Sequence, residues 1–380
     1  MRLAVTILAF CVAGLLALGM VMLYSSSMVQ SGTRYLLMQL LWCGLGLVVC
    51  AVVAACDYRH LKRVWWLLLG GAVVLLVLVL IPGIGSERNG ARRWFSHFGL
   101  SFQPSEFAKL ALMVALAWYG ERYRRHMSSW ARGILIPGVL IGVVTGLIFK
   151  EPDVGNALVL AAVGGCMLLL AGIRLRYFVP PAIIAAVAVG FFIYHNPMRS
   201  ERIYAWLHLE ETRQSKGMQG YEAMLALGSG GITGKGLGDS SQNGFLPFHH
   251  TDFIFAIIGE ELGLVATLLV TAAFAAILAC GLFIALRAPD TFGLLLGAGV
   301  IFLISLQALV NIGVVTSALP NKGLPLPFIS YGGSNLLLML TLVGLVLSIA
   351  RHSQEPASLA ATAEEAGSEN PFARRKTAPA

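Results

Sequence analysis

The step His249-His250-Thr251-Asp252 opens a long apolar segment that holds two further carboxylates, Glu260 and Glu261. Ionisable side chains inside a hydrophobic stretch are expensive to hold in lipid, so they face a cavity or a partner. Asp252 sits at the loop end of that segment. That position makes Asp252 the leading candidate for a catalytic or binding role. The plain alternative is helix capping, in which Thr251 or Asp252 accepts from the free N–H groups of a first turn. Capping leaves the two histidines and the glycine-dense tract 228–238, with its single Lys235, without a purpose. On an ideal helix Gly259 and Gly263 fall within about 20° of Asp252 around the axis. Such a Gly-x-x-x-Gly pair suits close helix packing or a groove for a lipid tail. Glu260 and Glu261 point elsewhere on that wheel and should serve different partners.

Three more tracts carry polar groups next to hydrophobic runs. In Gln103-Pro-Ser-Glu-Phe-Ala-Lys109, Pro104 and Ser105 suit a helix start and Glu106 falls in its first turn, where the dipole favours a carboxylate. Lys109 shares a face with Glu106 and needs a carboxylate partner in hydrocarbon; Glu106, Glu260 or Asp153 could supply it. Glu151-Pro-Asp-Val-Gly155 reads as a tight turn, or as a carboxylate pair that holds a divalent cation or orients a hydroxyl. The third tract, 321–334, offers Lys322 as a cation for phosphate, with Ser330 and Ser334 nearby. Its Gly332-Gly333 pair gives backbone N–H groups at a helix start, an anion-friendly place. The pair Arg92-Arg93 precedes Trp94, which suits a membrane interface.

These residues need a membrane scaffold. The chain has 380 residues, is 57% hydrophobic and only 12% charged, with a mean hydropathy of +0.77. A soluble domain carries roughly a quarter charged residues, so this chain cannot cover a water-facing surface. Apolar runs predict ten membrane-spanning helices, at about 4–24, 36–55, 64–81, 105–119, 133–149, 156–172, 178–194, 252–286, 292–318 and 333–350. Together they make one all-α membrane domain, 1–352. Lys and Arg cluster in short loops at 59–63, 122–132, 174–176 and 287, which places that face and both termini in the cytoplasm. The segment 353–380 reads as a disordered cytoplasmic tail. The opposite face carries the stretches 82–104, 195–251 and 319–333. It also carries Arg88, Arg92, Arg93, Arg199, Arg202, Arg213, Lys216, Lys235 and Lys322, against the charge rule, which points to an anionic ligand there. Six cysteines without paired spacing read as small packing residues. No basic block has nucleic-acid spacing, and the glycine tract lacks the order of a nucleotide phosphate loop.

With those motifs in hand, the chain resembles the SEDS proteins (shape, elongation, division and sporulation), the multispanning peptidoglycan polymerases of bacteria. The likeness covers about residues 10–350. It rests on Leu23-Tyr-Ser-Ser-Ser27, Gly90-Ala-Arg-Arg-Trp94, Phe102-Gln-Pro-Ser-Glu106, Glu151-Pro-Asp-Val-Gly155, the glycine tract, His250-Thr-Asp-Phe-Ile-Phe255 and Pro325-Leu-Pro-Phe-Ile-Ser-Tyr-Gly-Gly-Ser334. The division branch, FtsW-like, fits better than the elongation branch, RodA-like. This chain departs from the family where a glutamate is usual (Phe248 or His249 here), where threonine is usual (Asn156), and in Pro320-Asn-Lys322.

The resemblance implies a glycosyltransferase of the bacterial inner membrane, acting at the division septum. It would polymerise lipid II into glycan strands and release undecaprenyl diphosphate. Asp252 would be its catalytic base. Arg92, Arg93, Trp94, Glu106, Lys109, Glu151, Asp153, Lys235, His250, Lys322, Ser330 and Ser334 would contact substrate. Mg²⁺ or Mn²⁺ is a candidate helper, though no dedicated metal motif is present. A class B penicillin-binding protein transpeptidase and other divisome membrane proteins are the implied partners. A lipid II flippase and a non-catalytic divisome scaffold are the competing readings.

Overall fold

A computed structural model of the chain describes residues 1–31, 33–88, 90–97, 100–240 and 250–353. His249 and all of the expected tail except Ser353 lie outside the described residues. In lipid every backbone polar group must be satisfied within the chain, and continuous helices do this for each apolar run. The helices are α1 (Arg2–Ser31), α2 (Arg34–Ala55), α3 (Leu61–Leu80), α4 (Pro104–Arg122), α5 (Ile136–Lys150), α6 (Val154–Leu170), α7 (Leu175–His195), α8 (Pro197–Leu207), α9 (Met218–Ser229), α10 (Ile254–Leu286), α11 (Thr291–Val315) and α12 (Gly333–His352). Eight of the helices among the described residues are long and apolar enough to cross a membrane. Of the other two expected spans, α6 has 17 residues and α4 has 19 with Glu106 and Lys109 inside it.

Helices α4, α11 and α12 form the buried centre, with α2 packed along α12, α3 along α4, and α1 and α11 along α10. Helix α7 is the opposite case: none of its side chains is buried, and it leans mainly on α8. The exposed apolar residues of the outer helices, such as Leu37, Val48, Ile183 and Leu268, are what a lipid-facing surface requires.

Two connections differ from expectation. Residues 86–102 form a three-stranded antiparallel sheet, β1 (Ser86–Arg88), β2 (Ala91–His97) and β3 (Leu100–Phe102). Pro82 and Pro104 bracket this stretch and the sequence pair Asn89-Gly90 is a hairpin signal, so strands win over helix there. The long connection after α7 is also structured, with α8 and α9 inside it. Trp206 on α8 donates Nε1–H to the Ser317 carbonyl at 2.8 Å, and Asn321 donates to Gln219 on α9 at 2.6 Å. Both helices are thereby fixed to the α11–α12 connection.

On the face that carries the end of α12, Lys62 bridges Glu121 and Asp290, each at 2.9 Å, and Arg59 reaches Asp290 at 3.4 Å. Asp290 also caps α11 through the Gly293 N–H and accepts from the buried Tyr58 hydroxyl. These contacts tie α3, α4 and the α10–α11 turn together.

Candidate active site

Asp252 lies in the turn before α10, on the face opposite the termini. Three contacts position that turn. Asn311, buried in α11, donates Nδ2–H both to the Asp252 carbonyl (2.8 Å) and to the Leu324 carbonyl (2.6 Å). Ser330 donates to the Thr251 carbonyl and accepts from the Leu326 N–H at 2.8 Å. His250 stacks on Tyr35 with ring centroids 5.0 Å apart, and its carbonyl accepts from the Tyr331 N–H. The backbone of the turn is therefore held from α2, α11 and the 321–331 segment at once.

The carboxylate itself is treated differently. It caps nothing: the N-cap of α10 is Phe253, with no side-chain bond. Among the described residues it accepts no hydrogen bond. It rests against Gly323, where a Cβ would sit only 2.6 Å from Asp252 Oδ2. Burial, then repulsion from Asp153, pushes this carboxyl up to about 7, against the pull of Arg93. Part of its surface stays open. A partly accessible, unpartnered carboxyl that ionises near neutrality matches the demands on a general base.

The turn between α5 and α6 supplies the neighbouring charges. Asp153 caps α6 through the Asn156 N–H (3.2 Å) and accepts from Asn156 Nδ2 (2.8 Å) and Gln103 Nε2 (3.2 Å). Glu151 is fully buried, and both its oxygens lack partners among the described residues. Burial, with Asp153 adding and Arg93 opposing, raises it to about 8, so it is mostly neutral at pH 7. Arg93 holds the turn by donating to the Glu151 and Pro152 carbonyls, both at 2.7 Å. Among the described residues no three His, Cys, Asp or Glu side chains converge as a cation site.

The expected anion-binding cations separate sharply. Arg92 pairs with Glu87 at 3.1 Å and lines an open hollow of about 340 Å³ beside Lys150. Lys109 is sealed in the core, bonded to Glu106 at 2.8 Å and Gln307 at 3.4 Å; Asn335 satisfies the other Glu106 oxygen at 3.2 Å. Glu106 and Lys109 are both buried in α4, which packs against α3, α11 and α12. Lys235 bonds Glu260 at 2.7 Å. Lys322 alone of the five expected cations forms no hydrogen bond or ion pair among the described residues. Burial, then repulsion from Arg199, lowers it from the ordinary lysine value, with Asp153 opposing. Trp94 lies half-buried on β2, its carbonyl accepting from Ser86, and Ser334 is buried at the start of α12.

The glycine tract has a structural purpose. Helix α10 is interrupted at Gly263, where φ is 76° and ψ −170°. The carbonyls freed there, of Glu260 and Glu261, accept from the Lys235 and Gly236 N–H groups at 3.0 Å each. The freed N–H groups of Leu264 and Val265 donate to the Gly231 and Ile232 carbonyls at 3.0 and 3.4 Å. A Cβ at Gly234 or Gly263 would collide with the facing backbone. The tract is thus stitched into the break, satisfying backbone groups that lipid could not. This corrects the continuous-helix reading of Gly259 and Gly263. Gly259 faces Leu227 and Gly230, so the chain itself fills the supposed groove. The two glutamates do serve different partners: Glu260 takes Lys235, Ser229 and Ser240, and Glu261 takes Ser25 on α1 at 2.6 Å.

Two residues outside the expected set position Asp252: Asn311 and Gly323. Asn311 had a signal, since it lies four residues from Gln307 in an otherwise apolar helix. Gly323 had none beyond its place after Lys322.

The chain is similar to known proteins over nearly its whole length. Residues 6–355 match the family model for FtsW, RodA and SpoVE, described as cell cycle protein. A probable peptidoglycan glycosyltransferase FtsW from Trichlorobacter lovleyi is 39% identical over 350 residues, 90% of this chain and 92% of that protein. Stage V sporulation protein E of Bacillus subtilis is 38% identical over 350 residues, 90% of this chain and 95% of its own. Among solved structures, a subunit of a peptidoglycan synthase complex matches with a TM-score of 0.78 and 31% identity, covering 91% of this chain and 97% of that one. Thermus thermophilus RodA matches with a TM-score of 0.68 and 30% identity, covering 91% and 96%. With its polar motifs, helical membrane fold and near-complete coverage by these relatives, this chain belongs to the FtsW/RodA/SpoVE family and is FtsW-like within it.

Proposed function

We propose that the protein is a peptidoglycan glycosyltransferase that polymerises lipid II during septal wall synthesis. The 4-hydroxyl of an acceptor sugar attacks the anomeric carbon of a lipid-linked donor. The new glycosidic C–O bond forms as the bond to undecaprenyl diphosphate breaks. The hydroxyl proton passes to Asp252, and the departing diphosphate takes the electron pair with Lys322 offsetting its charge. Glu151, mostly neutral at pH 7, adds little repulsion to that anion. The observation that carries this reading is the Asp252 carboxylate: braced through its backbone, unpartnered through its oxygens, and pushed to about 7.

The face bearing Asp252 and Lys322 is read as extracytoplasmic and both termini as cytoplasmic, because the short loops on the terminal face carry most of the Lys and Arg. The relative in a synthase complex that joins polymerisation to crosslinking supports a class B penicillin-binding protein as transpeptidase partner, with other divisome membrane proteins around the pair.

The test is polymerisation of lipid II by the purified protein with its transpeptidase partner. Asp252→Asn should lose activity on the order of 10²–10⁴-fold, the usual range for a general base, while its melting profile is retained. Normal polymerisation by that variant removes Asp252 as base. Movement of lipid II between leaflets without polymer from wild type would favour transport instead.

A further inference from the structure

We propose that the end of the bundle opposite Asp252 carries a site for an anionic phospholipid, with Arg2 of α1 and Arg351 of α12 meeting the phosphate. A hollow of about 490 Å³ opens there between α1, α2 and α12. Both arginines stand on its wall, and Val5, Ala54, Leu347 and Ala350 give it an apolar lining. Its volume falls within the roughly 300–1,000 Å³ usual for small-ligand sites. Polarity is graded along the helices. Thr6 lies one turn inward of Arg2, and Leu347 one turn inward of Arg351, each on the face of its arginine. Charge therefore sits at the helix ends, and the lining turns apolar toward the middle of the bundle.

The two guanidinium groups share this hollow without a carboxylate on its wall. Arg351 donates Nη1–H to the Ala55 carbonyl at 3.1 Å, which ties the end of α12 to the end of α2 and anchors one side of the fork. The Arg2 side chain forms no hydrogen bond or ion pair among the described residues, and Arg351 forms no ion pair there. Asp57, the carboxylate that follows α2, is engaged elsewhere: it accepts from the Arg59 N–H at 2.9 Å and faces His352 at 3.8 Å. An arginine fork matches phosphate oxygens in pairs, so one phosphate between the two answers both charges. In the same turns of α1 and α2, Leu3, Ile7, Val48 and Val52 are exposed and require hydrocarbon beside them. A free phosphate would meet the arginines and leave the apolar lining empty. A phospholipid meets both, its head at the helix ends and its chains along the outer surface of α1 and α2. Basic pockets between membrane helices hold acidic lipid heads by the same combination of charge and desolvated lining.

The experiment adds dioctanoylphosphatidylglycerol, dioctanoylphosphatidylcholine or glycerol 1-phosphate to the full-length protein in detergent and counts bound molecules by native mass spectrometry. Wild type is compared with Arg2→Gln, Arg351→Gln, Thr6→Phe and Arg125→Gln. Thr6→Phe fills the hollow and keeps both arginines, and Arg125 is an exposed cation after α4. Phosphatidylglycerol affinity should fall about fivefold with Arg2→Gln and with Arg351→Gln, the scale of one basic residue at an anionic lipid surface. Thr6→Phe should weaken it at least as far. It should hold within about twofold for Arg125→Gln, in keeping with a remote surface charge. An equal fall with Arg125→Gln would mean diffuse charge and overturn the site, as would unchanged affinity in Arg2→Gln. Wild-type affinity in Thr6→Phe would place the lipid outside the hollow. Phosphatidylcholine bound as tightly as phosphatidylglycerol overturns the anionic assignment, and glycerol 1-phosphate bound as tightly overturns the lipid. If Arg351→Gln loosens α2 from α12, seen as a lower melting temperature, Arg2→Gln and Thr6→Phe decide, since neither side chain bonds another helix among the described residues. Binding is read without turnover, so the outcome bears on this site and leaves the polymerase reading to its own assay.

Discussion

Two of the polar centres in this apolar molecule are built on opposite terms. The Glu106–Lys109–Gln307–Asn335 knot is sealed, and the Lys109 ammonium and both Glu106 oxygens have internal partners. The Asp252–Lys322–Glu151 group is braced through its backbone but leaves its side-chain ends unpartnered among the described residues. Full satisfaction makes a strut, because removing one member strands another in a medium that cannot solvate it. Missing partners make a site, because they cost stability until something from outside supplies them. Burial alone does not separate the two: Glu151 is as buried as Lys109.

The largest effect should come from breaking the knot. Lys109→Met leaves Glu106 buried with one partner gone, a loss of about 3–5 kcal/mol. Thermal denaturation in detergent should show a large fall, and the double change Glu106→Gln with Lys109→Met should recover much of it. A single variant that melts like wild type and loses only polymerisation would move Lys109 into the site. A smaller effect on folding but a clear one on rate is expected from Gly323→Ala. The added methyl meets Asp252 Oδ2 at 2.6 Å and must displace the carboxylate. A displacement near 1 Å lowers the rate by roughly 10²-fold with the melting point little changed. An unchanged rate would show that the carboxylate position is not tightly required.

The mildest test is pH. The polymerisation rate should bend on its acid side near 7, where Asp252 becomes ionised, and fall about tenfold per unit below. The stability sign runs the other way. Asp252 rises from 3.8 to about 7 and Glu151 from 4.5 to about 8 on folding, so the folded chain binds more protons across roughly pH 4–8. Stability should therefore decline as pH rises through that window. Asp252→Asn should flatten the lower part of the decline, measured as melting temperature against pH; a slope identical to wild type would mean the carboxyl is better solvated than its setting implies.

Local patterns made much of this legible. The apolar runs carried the helices, and Glu106 and Lys109, three residues apart, could be paired by helical geometry alone. Asp252 stood out because a carboxylate at the mouth of an apolar run is costly. What escaped was the pairing of distant segments. Asn311 binds backbone 59 residues away, and Gly323 packs against Asp252 across a similar gap; neither contact leaves a local period. The glycine tract was conspicuous but ambiguous, since positive φ serves an anion cradle and a backbone stitch equally well. Only its partner, the break at Gly263, separates the two.

That break divides labour along α10. The portion Leu264–Leu286 is roughly 34 Å long at ~1.5 Å per residue, enough to cross a hydrocarbon layer by itself. The portion above it, Ile254–Leu262, is released from anchoring. Its residues Ile254 to Glu261 are all packed inside the fold, and its tilt is dictated by a strap of glycines instead of by the thickness of the lipid.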